Sequence, residues 1–380
     1  RGALAAASPK ANALPQSYTS TAAYSNAGTS FGGYCGSGLY RKTDIERMDY
    51  SNDSANPIFK ANFPRGLQIN NGAVSSLTSG YWIGGEAGPS AHQTSTIHRL
   101  DYANDTNVMT VGHRTAACDS AGAFGNKNFG YTAMEPETSM ERLDYSNDYA
   151  GMMQRSTGNP EIHERGATAS ANYGYYNSDT PSQHSDIVRL DFANDTVAAS
   201  QRCHLTKEWE GRSSAVGNAD YGWWFGGGTP APSTAESTVN RVDYSNDTAT
   251  AQVRGYLQTT SPYSARFAAG HGNENYGYVI GFNNTNIQRI DYANDMATPV
   301  TRGQTNLQNA GGMSSGTSCR ENSLSLYTID GKTAKDWQFV ASGPVQVLTP
   351  TITGYFVGGE SPGYETIVQR INYANDTATA

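Results

Sequence analysis

No stretch of the chain approaches the roughly 18 consecutive apolar residues that cross a bilayer, so membrane insertion is not expected. Charge is scarce too: 16% of residues are Asp, Glu, Lys or Arg, and acidic ones outnumber basic ones 34 to 26, for a formal net charge of −8. Nucleic-acid binding rests on clustered Lys and Arg, and that partner is likewise not expected. Cysteine is limited to Cys35, Cys118, Cys203 and Cys319, with no spacing that pairs them and no CxxC motif. The opening residues Arg1-Gly2-Ala3-Leu4 carry neither an initiator Met nor an apolar signal core, and the chain is read as a soluble, processed or excised piece.

Catalytic signatures are equally thin. His92, His98, His113, His163, His184, His204 and His271 are scattered without HExxH or any other tight ligand spacing. Walker and sialidase-type Asp-box sequences are missing. The expectation is a non-enzyme without cofactor or metal. The alternative is a site assembled from loops at the mouth of the fold, acting on carbohydrate.

What the chain does have is repetition. Arg-x-Asp-Tyr-x-Asn-Asp, with small variations, is spelled seven times, starting at Arg47, Arg99, Arg142, Arg189, Arg241, Arg289 and Arg370. Successive copies lie 52, 43, 47, 52, 48 and 81 residues apart, the period of four-stranded propeller blades. Between the copies runs a second phrase, Gly followed by aromatic and apolar residues and often closed by Gly-Gly, as in Gly80-Tyr81-Trp82-Ile83-Gly84-Gly85 and Tyr221-Gly222-Trp223-Trp224-Phe225-Gly226-Gly227. Such a short apolar run suits a strand buried on both faces, and it places Trp82, Trp223 and Trp224 in the core. A third marker is an Arg, often before Gly, at Arg65, Arg114, Arg155, Arg202, Arg254 and Arg302.

These markers predict an all-β, seven-bladed propeller of four-stranded antiparallel blades, as one domain over 1–380. Its blades are placed at about 1–66, 67–114, 115–155, 156–202, 203–254, 255–302 and 303–380, with an insertion at about 315–348 in the last. Strand one is a small-residue segment such as Asn71-Gly72-Ala73-Val74-Ser75, strand two the Gly-Tyr run, strand three the run into the Arg phrase, and strand four the Thr/Ala-rich stretch leading to the closing Arg. The x-Asn-Asp is read as a turn, because Asn and Asp side chains bond nearby backbone. Residues i and i+2 of a strand share a face. The arginines Arg47, Arg99, Arg142, Arg189, Arg241, Arg289 and Arg370 are therefore expected to form, with the third-position carboxylates Asp49, Asp101, Asp144, Asp191, Asp243 and Asp291, a ring of charge-assisted hydrogen bonds within or between blades. Asn372 breaks that series in the seventh copy.

Asp-x-x-Asn-Asp also has the oxygens of a Ca²⁺ ligand set but lacks the remaining residues of a dedicated loop. Asn52, Asn104, Asn194, Asn246, Asn283 and Asn375 stand in glycosylation sequons, relevant only after passage through a secretory pathway. Binding residues are better sought where the repeat is interrupted. Trp209 and Trp337 are the tryptophans expected to be exposed for stacking on sugars. Tyr327 and Lys332 lie in a segment read as a hairpin turning at Asp330-Gly331.

The double glycines Gly84-Gly85, Gly226-Gly227 and Gly358-Gly359 resemble those of kelch-type propellers, without that family's Trp in the last strand. The wording of the repeat, most complete from Tyr221 to Ala251, is similar to the tandem repeats of large virion proteins of cyanophages. That resemblance implies a tail, fibre or appendage component located in a virion or outside the cell. It implies assembly with other virion or fibre subunits, a homo-oligomer, and binding of host-surface polysaccharide. The competing resemblance, to galactose-oxidase-like propellers, implies a secreted carbohydrate-active enzyme.

Overall fold

The computed structural model describes residues 32–36, 43–305 except for 65–71, 77, 88–91, 119–120, 135–137, 161–165, 179–184, 209, 229–236, 259–268 and 281–284, then 315–318 and the short strands 328–329, 332–333, 353–357, 360–361, 363–364 and 368–372. Two compact units are formed, Tyr24–Leu326 and the combination of Arg1–Ala23 with Tyr327–Ala380.

The larger unit is a succession of antiparallel sheets, each built as the repeat predicts. Sheet I consists of Ser315–Ser318, Gly32–Gly36, Asp44–Asp49 and Ile58–Asn62. Sheet II has Gly72–Ser75, Ser79–Ile83, His92–Asp101 and Val108–Cys118, with the two-residue strand Glu86–Ala87 as a fifth. Sheet III has Ala121–Gly125, Phe129–Met134, Met140–Asp144 and Met152–Ser156; sheet IV has Ala167–Ala169, Tyr173–Asn177, Asp186–Asp191 and Ser200–His204. Sheet V has Glu210–Gly217, Tyr221–Gly228, Thr238–Asp243 and Gln252–Tyr256; sheet VI has Ala269–Gly272, Tyr276–Ile280, Asn286–Asp291 and Val300–Gln304. The expected count of seven is corrected: among the described residues there are five four-stranded blades, with five-stranded sheet II in the second place.

The innermost strands touch in order, Ser315–Ser318 against Gly72–Ser75, then on through sheets III to VI and back to Ser315–Ser318, so the unit closes on itself. Closure is made within sheet I, where Ser315–Ser318 pairs with Gly32–Gly36 from the other end of the unit. Thr305 Oγ1 donates to Glu46 at 2.7 Å and the Gly303 amide to the Asp53 carbonyl at 3.0 Å, tying sheet VI to sheet I.

The Gly-Tyr strands form the core for the reason read from their composition. Trp82, Trp223 and Trp224 are fully buried, as are Tyr131, Tyr175, Tyr176 and Tyr278. Close approach of neighbouring sheets leaves no room for a Cβ at Gly174, which lies against the Phe124 ring. The double glycines at the end of the Gly-Tyr phrase have a different cause: Gly84 and Gly85 take φ of 70° and 93°, and Gly226 and Gly227 take 73° and 89°, a left-handed backbone that glycine adopts without penalty.

The seventh copy of the phrase falls in the smaller unit. Its strand Val368–Asn372 pairs with Thr353–Val357 so that Tyr355 faces Arg370, the register that sets Tyr81 opposite Arg99 in sheet II. In the same unit Thr328–Ile329 pairs with Lys332–Thr333 on either side of the dipeptide read as a turn.

Phe124 on the innermost strand of sheet III stacks on Tyr131 of its own sheet and on Tyr176 and Phe192 of sheet IV. Truncation there leaves a cavity shared by two sheets. Phe124→Ala is expected to lose about 3–5 kcal/mol in urea unfolding, whereas Tyr256→Ala, at a 59% exposed position, should stay within about 0.5 kcal/mol.

Candidate functional site

In the six copies of the larger unit the recurring residues converge on the seams between sheets. The last Asp of each of these six phrases is buried, and it receives the Arg of the phrase in the preceding sheet. Arg47 pairs with Asp105, Arg99 with Asp148, Arg142 with Asp195, Arg189 with Asp247, Arg241 with Asp295 and Arg289 with Asp53, at 2.5–3.0 Å. The last of these returns to the first copy, so the ion pairs make a closed circuit. The sequence-based pairing of Arg with the third-position Asp is thereby corrected. That arrangement is seen at Arg99 and Asp101, 3.0 Å apart. Asp144, Asp191, Asp243 and Asp291 instead cap the short 3₁₀ turn that follows, each accepting the backbone N–H two residues on at 2.9–3.0 Å. Asp49 stands at the same register position in sheet I. Arg370 is described only as backbone.

Two further donors reach the buried carboxylate. One is the strand-two aromatic opposite the Arg. Tyr81, Tyr131, Tyr175 and Tyr278 donate their hydroxyls to Asp148, Asp195, Asp247 and Asp53 at 3.0–3.1 Å, and Trp223 Nε1 donates to Asp295 at 2.9 Å. The other is the closing cation of strand four, Lys60, Arg155, Arg202, Arg254 or Arg302. The register of strands three and four shifts at each of these residues, an added residue that bends the strand and re-aims one side chain. In sheet II the shift leaves Val111 in that place, and Arg114 goes elsewhere, to Glu141 at 3.1 Å with both side chains fully buried.

The phrase's own aromatic completes the seam. Tyr50 stacks on Tyr278, Tyr145 on Tyr81, Phe192 on Tyr131, Tyr244 on Tyr175 and Tyr292 on Trp223, with ring centres 4.0–5.0 Å apart. These five copies thus reach forward with their Arg and back with their Tyr or Phe and last Asp.

Burial alone would raise the carboxyl pKa of Asp195 and Asp247. Donation and charge from Arg155, Tyr131 and Arg142 around the first, and from Arg202, Arg189 and Tyr175 around the second, outweigh it and hold both below the usual value. The tyrosines are displaced upward, by burial first and by the neighbouring Asp second. His271 lies 2.8 Å from the Tyr50 hydroxyl, and burial pushes its pKa down to about 3. Burial also pushes the Cys203 thiol up to about 12. Chemically, the arrangement is a joint: ionised carboxylates shared among fixed cations and phenols. Among the described residues no group of three or more His, Cys, Asp or Glu side chains is placed to hold a metal ion.

Of the residues put forward for binding, Trp209, Tyr327 and Trp337 lie outside the described residues, and Lys332 is described only as backbone in Lys332–Thr333. The joint carboxylate was legible without being read. Asp53, Asp105, Asp148, Asp195, Asp247, Asp295 and Asp376 fill the seventh position of every copy, whereas the third position changes to Asn372.

No family model matches the chain. No curated protein matches it either. Among solved structures it is similar to the one described as "Crystal structure of Nidogen/Laminin Complex", with a TM-score of 0.54 over 76% of this chain and 98% of that one. The fold is a β-propeller. At 10% identity the likeness is one of fold alone.

Asp247→Ala strands Arg189, Arg202 and Tyr175 without their acceptor and is expected to lose about 2–4 kcal/mol in urea unfolding. Asp243→Ala in the same phrase removes only a cap and should lose about 1 kcal/mol.

Acid should weaken the propeller in two stages. His271 is neutral in both states at high pH; as pH falls from about 6.5 towards 3 the unfolded chain gains the proton first, so stability is lost across that window. Asp195 and Asp247, with depressed folded pKa values, contribute stability that is present above about pH 4 and lost below it. Thermal melts between pH 7 and 3 should show both stages, and His271→Gln should remove the first.

Proposed function

We propose that this protein is a non-enzymatic structural and adhesion module of a phage virion or extracellular fibre, assembling with other subunits and carrying recognition of host-surface polysaccharide on its loops. The observation that supports it most is the closed circuit of ion pairs from Arg47–Asp105 round to Arg289–Asp53. The most repeated charged chemistry of the chain is committed to holding sheets together, which suits a part that bears load and presents a surface. The similarity of the Tyr221–Ala251 wording to tandem-repeat virion proteins supports the setting, and the double glycines support a kelch-like subtype.

Sedimentation of the purified chain is expected to give a regular homo-oligomer, and antibody-labelled electron microscopy to place it on virions or filaments. A monomer that labels no particle and binds no glycan would overturn the reading. Turnover of a polysaccharide, with or without added metal, would overturn its non-enzymatic part.

A further inference from the structure

We infer that the seam between sheets II and III holds a binding site for a single pyranose residue of a glycan, opened by the loss of a ring that four other sheets carry. In sheets III to VI the residue before the strand-two Gly is aromatic, Phe129, Tyr173, Tyr221 or Tyr276, and it faces the third Asp of the phrase. The guanidinium of Arg142, Arg189, Arg241 or Arg289 lies 4.2–4.3 Å over that ring. The ring also packs toward the next sheet: Tyr276 joins the cluster of Met48 and Tyr50, and Tyr221 the cluster of Ile290 and Tyr292.

In sheet II the same register puts Ser79 opposite Asp101. Its hydroxyl donates to Asp101 at 2.8 Å, and Arg99 turns to the same carboxylate instead of lying over a ring at this position. The volume of a phenyl ring is therefore missing from the side of sheet II that meets Tyr145 of sheet III. At that seam lies a hollow of about 340 Å³, at the lower end of the roughly 300–1,000 Å³ of small-molecule sites. Gly32 takes the corresponding place in sheet I, beside residues outside the described set.

The lining mixes hydrogen-bonding characters. Ser76 and Thr78 of sheet II stand across from Lys127, Asn128 and Asp144 of sheet III. Asp144 Oδ1 accepts from the Ser146 amide at 2.9 Å and hydroxyl at 2.7 Å, while none of the described residues donates to Oδ2. Lys127 and Asn128 are exposed. A sugar ring matches this set, because each hydroxyl both donates and accepts and the C–H face can lie on the apolar wall formed by Tyr145 and Phe129. One carboxylate is too few oxygen ligands for a divalent cation. Its charge beside Lys127 also weighs against a bare anion. The ligand class rests on the adhesion reading above; the hollow and its origin do not.

The test is saturation-transfer NMR of the whole chain with methyl glycosides of glucose, galactose, mannose, rhamnose and N-acetylglucosamine, repeated on two variants. Ser79→Tyr restores the ring found in four other sheets, so it should keep or raise the melting temperature and abolish the signal. Lys127→Ala, at an exposed side chain, should leave the melting temperature unchanged and weaken binding about tenfold; it decides the matter if Ser79→Tyr does not fold. A glycoside that binds the parent and both folded variants alike overturns this site and leaves the adhesion reading standing. No binding of any of these glycosides by the parent overturns the site, and the adhesion reading then stands or falls on whole host polysaccharide in the same assay.

Discussion

Everything in the larger unit hangs on a carboxylate placed where two sheets meet. A buried ion pair is a weak source of net stability, since removing charges from water offsets most of the attraction. Its strength here is directional. The carboxylates have two oxygens, and at Asp195, Asp247 and Asp295 three donors from three different positions of the preceding sheet divide them. Such an acceptor is satisfied in one relative placement of the sheets, whereas stacked aromatic faces alone tolerate sliding. The phrase's Tyr or Phe supplies apolar burial beside it, so attraction and register come from neighbouring residues of one turn.

The third donor depends on an irregularity. A regular strand four would send alternate side chains to its two faces. The added residue at Lys60, Arg155, Arg202, Arg254 and Arg302 breaks that alternation and brings a cation to the seam. Sheet II shows what happens without it. Val111 occupies the position, Asp148 is left with Arg99 and Tyr81, and a fully buried Arg114–Glu141 pair lies farther along the same strand. Sheet II is also the one that carries Ser79 and an additional strand, so three departures from the repeat gather in one place.

Much of this was legible in the residues. The Gly-Tyr runs announced strands buried on both faces, and Trp82, Trp223 and Trp224 lie in them. The turns are where the phrase predicted them, but the side chain that bonds the backbone there is the third-position Asp, while the Asp of Asn-Asp goes to the seam. Sheet number was not legible, because a repeat states what a sheet contains and is silent about the angle between sheets. The partner of the Arg was misread for a related reason. Strand alternation identifies residues sharing a face within one sheet, but the contact that matters is made across a seam by a residue beyond the strand's end. The residues chosen for binding were sought where the repeat is interrupted, while the hollow between sheets II and III is lined by residues of the repeat itself.

Every joint points the same way round, cation in one sheet and carboxylate in the next. In an assembly of subunits this would be a head-to-tail contact, which makes a ring when the rotation per step closes and an open helix when it does not. The phrase therefore works as a link with a sense of direction and no count. A copy added or removed as a whole leaves each remaining link with a partner of the correct kind, and the size of the ring falls to the wedge between neighbouring sheets, set by residues such as Gly174 and Phe124. A chain written in such links can lengthen by duplication without inventing a new contact, and seven spellings of the phrase do not oblige it to make seven blades.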